Sequence, residues 1–166
     1  CQAVIDASTA TSSTNLRPHL VYCDFEDVRR SASAVARLRA AGLKSALATP
    51  RVIKPGEEGL LHQIANCHPD AVLVRNLSGL SFFREHAPKL ELLGDYSLNV
   101  ANEITASLFL EAGLARIVPS YDLNLQQVAA LLTRIDPARF EVVLHQHMPM
   151  FHMEHCVFSH TLSNGK

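Results

Sequence analysis

Six short apolar runs recur along the chain at a nearly regular interval, and this rhythm constrains the fold more than any other feature. The runs end near residues 23, 48, 74, 93, 118 and 144. Near-continuous apolar runs are typical of strands that are buried on both faces, as in a parallel sheet. The predicted strands are His19–Cys23, Lys44–Ala48, Ala71–Val74, Glu91–Leu93, Ala115–Val118 and Phe140–Leu144.

Helical patterns occupy the segments between these runs. Gly42 and Gly113 follow two of the patterns and are natural helix stops, and Asn124 is a suitable N-cap for a later helix. Strands that alternate with helices predict right-handed βαβ units around one parallel sheet. The predicted helices are Asp27–Ala41, Glu57–Ala65, Leu80–His86, Asn102–Ala112 and Leu125–Ile135.

About six βα units are two short of the eight in a closed barrel. We therefore predict an α/β fold, a partial TIM-barrel-like domain over residues 18–166 that is a fragment of a larger barrel. A doubly wound open sheet is the second interpretation, and the lack of a glycine-rich phosphate loop after any predicted strand disfavours it. Residues 1–17 include a run of small polar residues, which predicts a linker or a frayed N-terminal remnant.

Polar or ionisable residues follow every predicted strand, whereas the turns that enter the strands are plain. The carboxyl ends of parallel strands share one face, and α/β enzymes place their active sites there. Helix capping explains some of these residues. It does not explain Arg51, Arg75 or the pair His145 and His147.

The two arginines are the first candidates for catalysis. Arg51 and Arg75 could grip a carboxylate or phosphate by paired hydrogen bonds. The alternative is that they form ion pairs across the barrel mouth with the acidic residues Asp24, Glu26 or Asp95. Other residues at these strand exits complete the candidate site. They are Asp95 for catalysis, with Asn99 and Tyr121 for substrate binding.

Charge and cysteine usage narrow the function classes. The chain has 166 residues and a formal net charge of −1, so no overall basic field attracts it to nucleic acid. No apolar run approaches the roughly 18 residues of a membrane span, and the first residues lack a signal-peptide pattern. The four cysteines are scattered without framework spacing, which predicts reduced thiols in a cytoplasmic protein.

A histidine-rich stretch follows the last predicted strand. Five of the nine histidines fall between residues 145 and 160, beside the last cysteine and all three methionines. Imidazole, thiolate and thioether bind borderline and soft metals, so the stretch predicts metal or redox chemistry. The alternative is a polar loop with core methionines. The candidate metal ligands are His145, His147, His155, Cys156 and Cys23, which ends the first predicted strand.

From Leu20 onward the chain resembles peptidase family U32, the collagenase-like proteases. In the final segment Glu141, Cys156 and Ser159 fit the family signature, as does Met148. The chain departs from the signature's glycine, small residue and cysteine at Gln146, His147 and Pro149. The other segments that carry the resemblance are Val21–Asp27, Ala48–Val52, Pro69–Asn76, Gly94–Asn102 and Pro119–Asn124.

The resemblance implies a barrel protein that holds an iron–sulfur cluster with four cysteines. Only Cys156 matches one of these ligands, because Pro149 cannot bind metal. One thiolate cannot hold a cluster. The full-length protein is therefore expected to add downstream cysteines and a substitute ligand such as His147, His155 or Cys23. A single divalent metal bound through histidines and a metal-free site are the alternatives.

Three functions follow from the resemblance. The first is oxygen-independent or prephenate-linked hydroxylation of RNA bases or similar aromatic substrates by an iron–sulfur enzyme. The second, which the family name implies, is a metal- or thiol-dependent peptidase, and the third is a non-catalytic barrel scaffold. The expected partners are RNA, a small aromatic or carboxylate substrate, or a peptide. We also expect contact with the remaining part of the full-length chain, and none with a membrane.

Overall fold

The structure is a computed structural model that describes residues 1–10, 17–147 and 156–162. The strands are Val21–Cys23 (β1), Ser45–Ala48 (β2), Ala71–Val74 (β3), Glu91–Gly94 (β4) and Arg116–Ile117 (β5). The α-helices are Gln2–Ala10 (α1), Ser31–Ala40 (α2), Gly59–Asn66 (α3), Leu77–His86 (α4), Glu103–Glu111 (α5), Leu125–Leu132 (α6) and Val157–Leu162 (α7). Short 3₁₀ turns occupy Val28–Arg30, Tyr96–Leu98 and Pro137–Arg139.

The strands lie in the sheet in their order along the chain, from β1 at one edge to β5 at the other. All neighbouring strands are parallel, and a helix lies between successive strands. The predicted parallel α/β fold is therefore confirmed. A doubly wound sheet reverses its strand order at a switch point. The five described strands show no reversal, so their order is that of a partial barrel.

The two faces of the sheet bury different clusters, because successive side chains of a strand point to opposite faces. Val72 and Val74 of β3 point into the main core, which also contains Phe83 of α4. Ala71 and Leu73 belong to a smaller apolar cluster on the opposite face. Burial on both faces explains why β3 is apolar at every position.

The helix boundaries follow local signals in the sequence. Asn102 and Asn124 are N-caps whose side chains accept hydrogen bonds from backbone N–H groups, and Asn124 forms a capping box with Gln127. The predicted stops at Gly42 and Gly113 are confirmed by positive φ angles of 68° and 107°. Glycine adopts this backbone conformation without the steric cost of a Cβ atom.

The sixth predicted strand, Phe140–Leu144, is reduced to a single bridge. Phe140 pairs in parallel with Ile117 and is buried. The three apolar residues that follow Glu141 are between 42% and 96% exposed. An edge segment has ladder partners on one side only, and the described residues provide no further strand beside it. The apolar run therefore continues as irregular chain.

The N-terminal segment differs from the predicted linker. Residues Gln2–Ala10 form helix α1, and Ile5 packs against the main core. Residues 11–16, which carry much of the polar run, lie outside the described residues. The division of the chain at residue 17 stays a prediction. None of the helices in the described part of the chain combines the length and apolar character that a membrane span requires.

Candidate functional site at the carboxyl edge of the sheet

Three charged side chains meet at the carboxyl edge of the sheet. Arg75 follows β3 and donates from both terminal nitrogens to Asp24, which follows β1, at 3.0 and 2.7 Å. Its Nε donates to Asp95, which follows β4, at 3.0 Å. The predicted catalytic residues Arg75 and Asp95 are thus brought together. The interaction is the ion pair that the sequence allowed as an alternative, and it joins three strand exits.

Burial sets the electrostatics of this group. Asp95 is 3% exposed, and burial raises the pKa of its carboxyl, although the charge of Arg75 opposes this. Burial also disfavours the charged form of Arg75, but the hydrogen bonds and charges of Asp24 and Asp95 outweigh it and raise the guanidinium pKa. Both groups are held in place by their partners.

The backbone of Arg75 is fixed by two hydroxyl groups. The Thr49 hydroxyl accepts a hydrogen bond from the Arg75 N–H at 3.0 Å, and the Ser97 hydroxyl donates to the Arg75 carbonyl at 2.9 Å. Thr49 is 1% exposed and directly follows β2. Residues that follow the neighbouring strands therefore hold the backbone from which the guanidinium group extends.

A cluster of cationic and aromatic groups lies beside the ion pair. The Arg51 guanidinium carbon lies 4.9 Å from the ring centre of Tyr96, and a terminal N–H of the same guanidinium donates to the Tyr96 hydroxyl. The rings of Tyr96 and Tyr121 are 5.0 Å apart and tilted by 59°. Asn76 donates to the carbonyl of Arg51 at 3.0 Å, which holds the loop that carries the arginine. The cluster presents aromatic rings and guanidinium N–H groups at the same edge.

Two cavities meet at Arg75, which lines both. The larger, of about 670 Å³, lies over the exits of β1 and β2 and is lined by Asp24 and Arg51. The smaller, of about 270 Å³, lies over β3 to β5 and is lined by Asp95 and Tyr96. Tyr121 lines a third cavity, of about 360 Å³, together with His145. The ion pair therefore forms the wall between the first two cavities.

Asn99 lies apart from these contacts. It ends the 3₁₀ turn Tyr96–Leu98 in the left-handed conformation, with φ of 54°, and its side chain is exposed. Asparagine is enriched in this conformation, which gives the residue a structural role at the turn. Its predicted contact with substrate stays a prediction.

The predicted metal ligands do not form a complete site in the described residues. The rings of His145 and His147 lie 6.0 Å apart and both residues are exposed. Cys156 is exposed and accepts a hydrogen bond from the Ser159 N–H at 3.4 Å. Across residues 1–10, 17–147 and 156–162, no group of three or more His, Cys, Asp or Glu residues could hold a metal ion. His155 lies outside these residues.

Cys23 is the candidate ligand that the structure places away from the others. It is 5% exposed and belongs to the main core on the helix side of the sheet. Burial raises the pKa of its thiol, which disfavours the thiolate that a metal requires. Among the described residues, Cys156 is therefore the one exposed thiol that matches the family signature. These residues do not by themselves supply the four ligands of a cluster.

Two residues of the edge were missed as candidates. The Tyr22 hydroxyl donates to the Glu141 carboxylate, and both residues line the same cavity as Asp95. Glu141 had one signal, its match to the family signature. Tyr22 had only a weak signal, a hydroxyl within an apolar run.

Comparisons with known proteins agree with this architecture. The sequence model of peptidase family U32 matches residues 24–166. The chain belongs to peptidase family U32. The solved structure of the U32 peptidase Mk0906 is similar with a TM-score of 0.60 and 13% identity, over 78% of this chain and 61% of that one. At this identity the similarity shows a shared fold.

Two curated relatives of this U32 member carry a functional name. The tRNA hydroxylation protein P of Escherichia coli strain K12 is 22% identical over 99 residues, and that of Haemophilus influenzae is 21% identical over 99 residues. Each match covers 60% of this chain and spans 22% of the length of the relative.

Proposed function

We propose that the protein containing this chain is an enzyme that hydroxylates a base of RNA, and that the carboxyl edge of the sheet binds the base. The observation that carries the proposal is the cluster of Arg51, Tyr96 and Tyr121 beside the Arg75–Asp95 pair. Unpaired bases of RNA are recognised by stacking on aromatic rings and guanidinium planes. The names of the two bacterial relatives support hydroxylation of tRNA as the reaction class.

Each residue of the edge has a distinct role in this proposal. Tyr121 is 37% exposed, so its ring is accessible for stacking. Arg51 supplies N–H donors for an anionic group of the substrate, since a guanidinium binds carboxylate or phosphate in a planar fork. Arg75 already makes three hydrogen bonds to carboxylates, so it acts as a brace that holds Asp95. Asp95, with its raised pKa, accepts a hydrogen bond or a proton at its carboxylate oxygen.

The iron–sulfur cluster expected from the family remains part of the proposal for the full-length protein. Cys156 is its one matched ligand in this chain, and the other ligands are proposed to come from outside the described residues. A cluster of this kind supplies redox chemistry. The chain's own residues bind and orient the base. A location in the cytoplasm, where cysteines stay reduced, fits this assignment.

The test is complementation. The complete protein is expressed in an Escherichia coli strain that lacks its tRNA hydroxylation protein P, and hydroxylated nucleosides in total tRNA are measured by mass spectrometry. We expect hydroxylated nucleoside with the wild type and at least about fivefold less with Tyr121→Leu, because stacking contributes roughly 1–3 kcal/mol per base. Glu111→Gln, on the exposed side of α5, serves as the control and should retain full activity. Unmodified tRNA with correctly folded wild-type protein would refute the proposal.

The peptidase function that the family name implies is tested with the same protein. Cleavage of denatured collagen should be measured with the wild type and with the Cys156→Ala and His147→Ala variants. Under the hydroxylase proposal we expect no cleavage that depends on either residue. Cleavage that both substitutions abolish would favour the peptidase instead. The non-catalytic scaffold is refuted by either activity in homogeneous protein.

A further inference from the structure

The contact between Tyr22 and Glu141 joins opposite edges of the sheet. Tyr22 lies in β1, and Glu141 follows Phe140, which pairs with β5. Neighbouring strands are about 4.8 Å apart, so in a flat sheet these positions would be separated by roughly 24 Å. Two side chains of this size span far less than that. The direct hydrogen bond therefore requires a strongly curved sheet, with both side chains on its concave face.

Arg116 of β5 strengthens the same contact. One terminal nitrogen of Arg116 lies 3.1 Å from the Glu141 carboxylate, and the other lies 3.6 Å from Glu91 at the start of β4. The side chains of Arg116 and Glu141 are 26% and 27% exposed, so the pair is partly shielded from solvent. Glu141 thus binds a hydroxyl from one edge of the sheet and a guanidinium from the other. We call Tyr22, Arg116 and Glu141 the clasp.

The segment that follows Glu141 depends on the clasp for its position. Within the described residues, its last backbone hydrogen bond to the sheet runs from the Glu141 N–H to the Ile117 carbonyl, at 3.0 Å. Residues 142–144 are between 42% and 96% exposed, so burial of apolar surface contributes little to holding them. The side chain of Glu141 is therefore a principal constraint on residues 142–147.

This segment reaches the candidate site. Val142, Val143 and Gln146 line the smaller cavity together with Asp95 and with the clasp residues Tyr22 and Glu141. The segment also carries His145 and His147, the first two histidines of the histidine-rich stretch. A shift of this segment would change both the wall of the cavity and the position of these histidines.

We propose that Glu141 is a positioning residue: held by Tyr22 and Arg116, it fixes residues 142–147 over the concave face of the sheet, beside the cavity that Asp95 lines. This role of Glu141 does not depend on which reaction the site performs. It also gives the family signature a physical meaning at this residue. The signature's acidic residue anchors the segment that leads to the signature's cysteine.

The first test measures backbone NMR order parameters in the full-length protein. Tyr22→Phe removes one oxygen and leaves the ring in place, and Glu141→Gln removes the charge that Arg116 binds. We expect the order parameters of residues 142–147 to fall from near the rigid value of about 0.85 to below about 0.6 in each variant, because the side-chain contacts that hold the segment are lost. Order parameters at Ala71–Val74 should not change. The double variant should lower them no further than the more affected single variant, because both substitutions break the same contact.

Glu111→Gln is the matched control, a charge removal at an exposed position, and should leave the order parameters of residues 142–147 unchanged. Two results would overturn the proposal. One is unchanged order parameters at residues 142–147 in a folded Tyr22→Phe variant. The other is an equal decrease at Ala71–Val74, which would make the clasp a general stabilising contact. Tyr22→Phe keeps the test valid if Glu141→Gln does not fold.

The second test is spectroscopic and reports the clasp directly. The absorbance of tyrosine near 280 nm is compared at pH 7 between the wild type and the variants. A phenol that donates a hydrogen bond to a carboxylate absorbs at slightly longer wavelength than one that donates to a neutral amide, so Glu141→Gln should shift the absorbance of one of the three tyrosines to shorter wavelength. Glu111→Gln should leave the spectrum unchanged. An unchanged spectrum in folded Glu141→Gln would show that the clasp does not form in solution.

Discussion

Arg75→Met tests whether the ion pair at the carboxyl edge is a structural brace. The substitution keeps most of the side-chain volume and removes every N–H donor. It leaves two carboxylates without their cation. These differ in exposure, because the Asp24 side chain is 61% exposed and the Asp95 side chain is 5% exposed. The loss in free energy of unfolding should therefore come almost entirely from leaving the buried carboxylate of Asp95 without its cation.

The magnitude follows from this difference in burial. Removing one partner of a buried ion pair costs about 3–5 kcal/mol. We expect the low end, about 3 kcal/mol at pH 7, because Asp95 keeps the hydrogen bond from the Tyr96 N–H and the charge of Arg51 nearby. The exposed contact with Asp24 adds no more than about 1 kcal/mol.

The pH dependence has a definite sign. Burial already raises the pKa of Asp95, and loss of Arg75 removes the charge that opposes the rise. The folded variant then binds a proton that the unfolded chain, with a carboxyl pKa of about 3.9, has released. The loss of stability caused by Arg75→Met is therefore fully present at high pH and becomes smaller as the pH falls through the raised pKa of Asp95 in the folded variant. The loss should be smaller at pH 5 than at pH 7.

Urea unfolding followed by circular dichroism measures these effects. Arg29→Met is the matched control, since it breaks the exposed pair with Asp27 and should destabilise the protein far less than Arg75→Met. The double variant Arg75→Met, Asp95→Asn should recover part of the loss, because no buried charge remains. A cost for Arg75→Met equal to that of Arg29→Met would refute the reasoning. So would a double variant less stable than Arg75→Met alone.

Two further predictions concern the core and the clasp. Gly94→Ala would place a Cβ atom 2.8 Å from the Cδ1 of buried Leu114, so we expect a loss of about 1 kcal/mol in thermal or urea unfolding. Gly59→Ala, where a Cβ atom meets nothing within 4 Å, should be neutral or stabilising. Burial and Glu141 raise the pKa of Tyr22, so the wild type should lose stability as the pH rises above about 10, the pKa of tyrosine in the unfolded chain. Tyr22→Phe should lose less stability over the same pH range, and an equal loss would contradict the assignment.

Much of the fold could be predicted from local patterns. A strand buried on both faces must be apolar at nearly every position, so β3 and its neighbours were visible as short apolar runs. The stops at Gly42 and Gly113 and the cap at Asn124 depend on backbone conformation within a few residues. Phe140–Leu144 has the same apolar pattern, but within residues 1–10, 17–147 and 156–162 no second strand lies beside it, so the pattern alone overestimated its pairing there.

Which residues lie at the carboxyl edge follows from the order of residues along the chain, because each comes directly after a parallel strand and such strands end on one face. What those residues contact depends on how the whole chain is folded. Arg75 and Asp24 are 51 positions apart, and no periodicity predicts that pair. The alternation of side chains in β1 decided that Cys23 faces the helices while Tyr22 faces the concave side. The contact between Tyr22 and Glu141 exists because the sheet is curved, and curvature is a property of all the strands together.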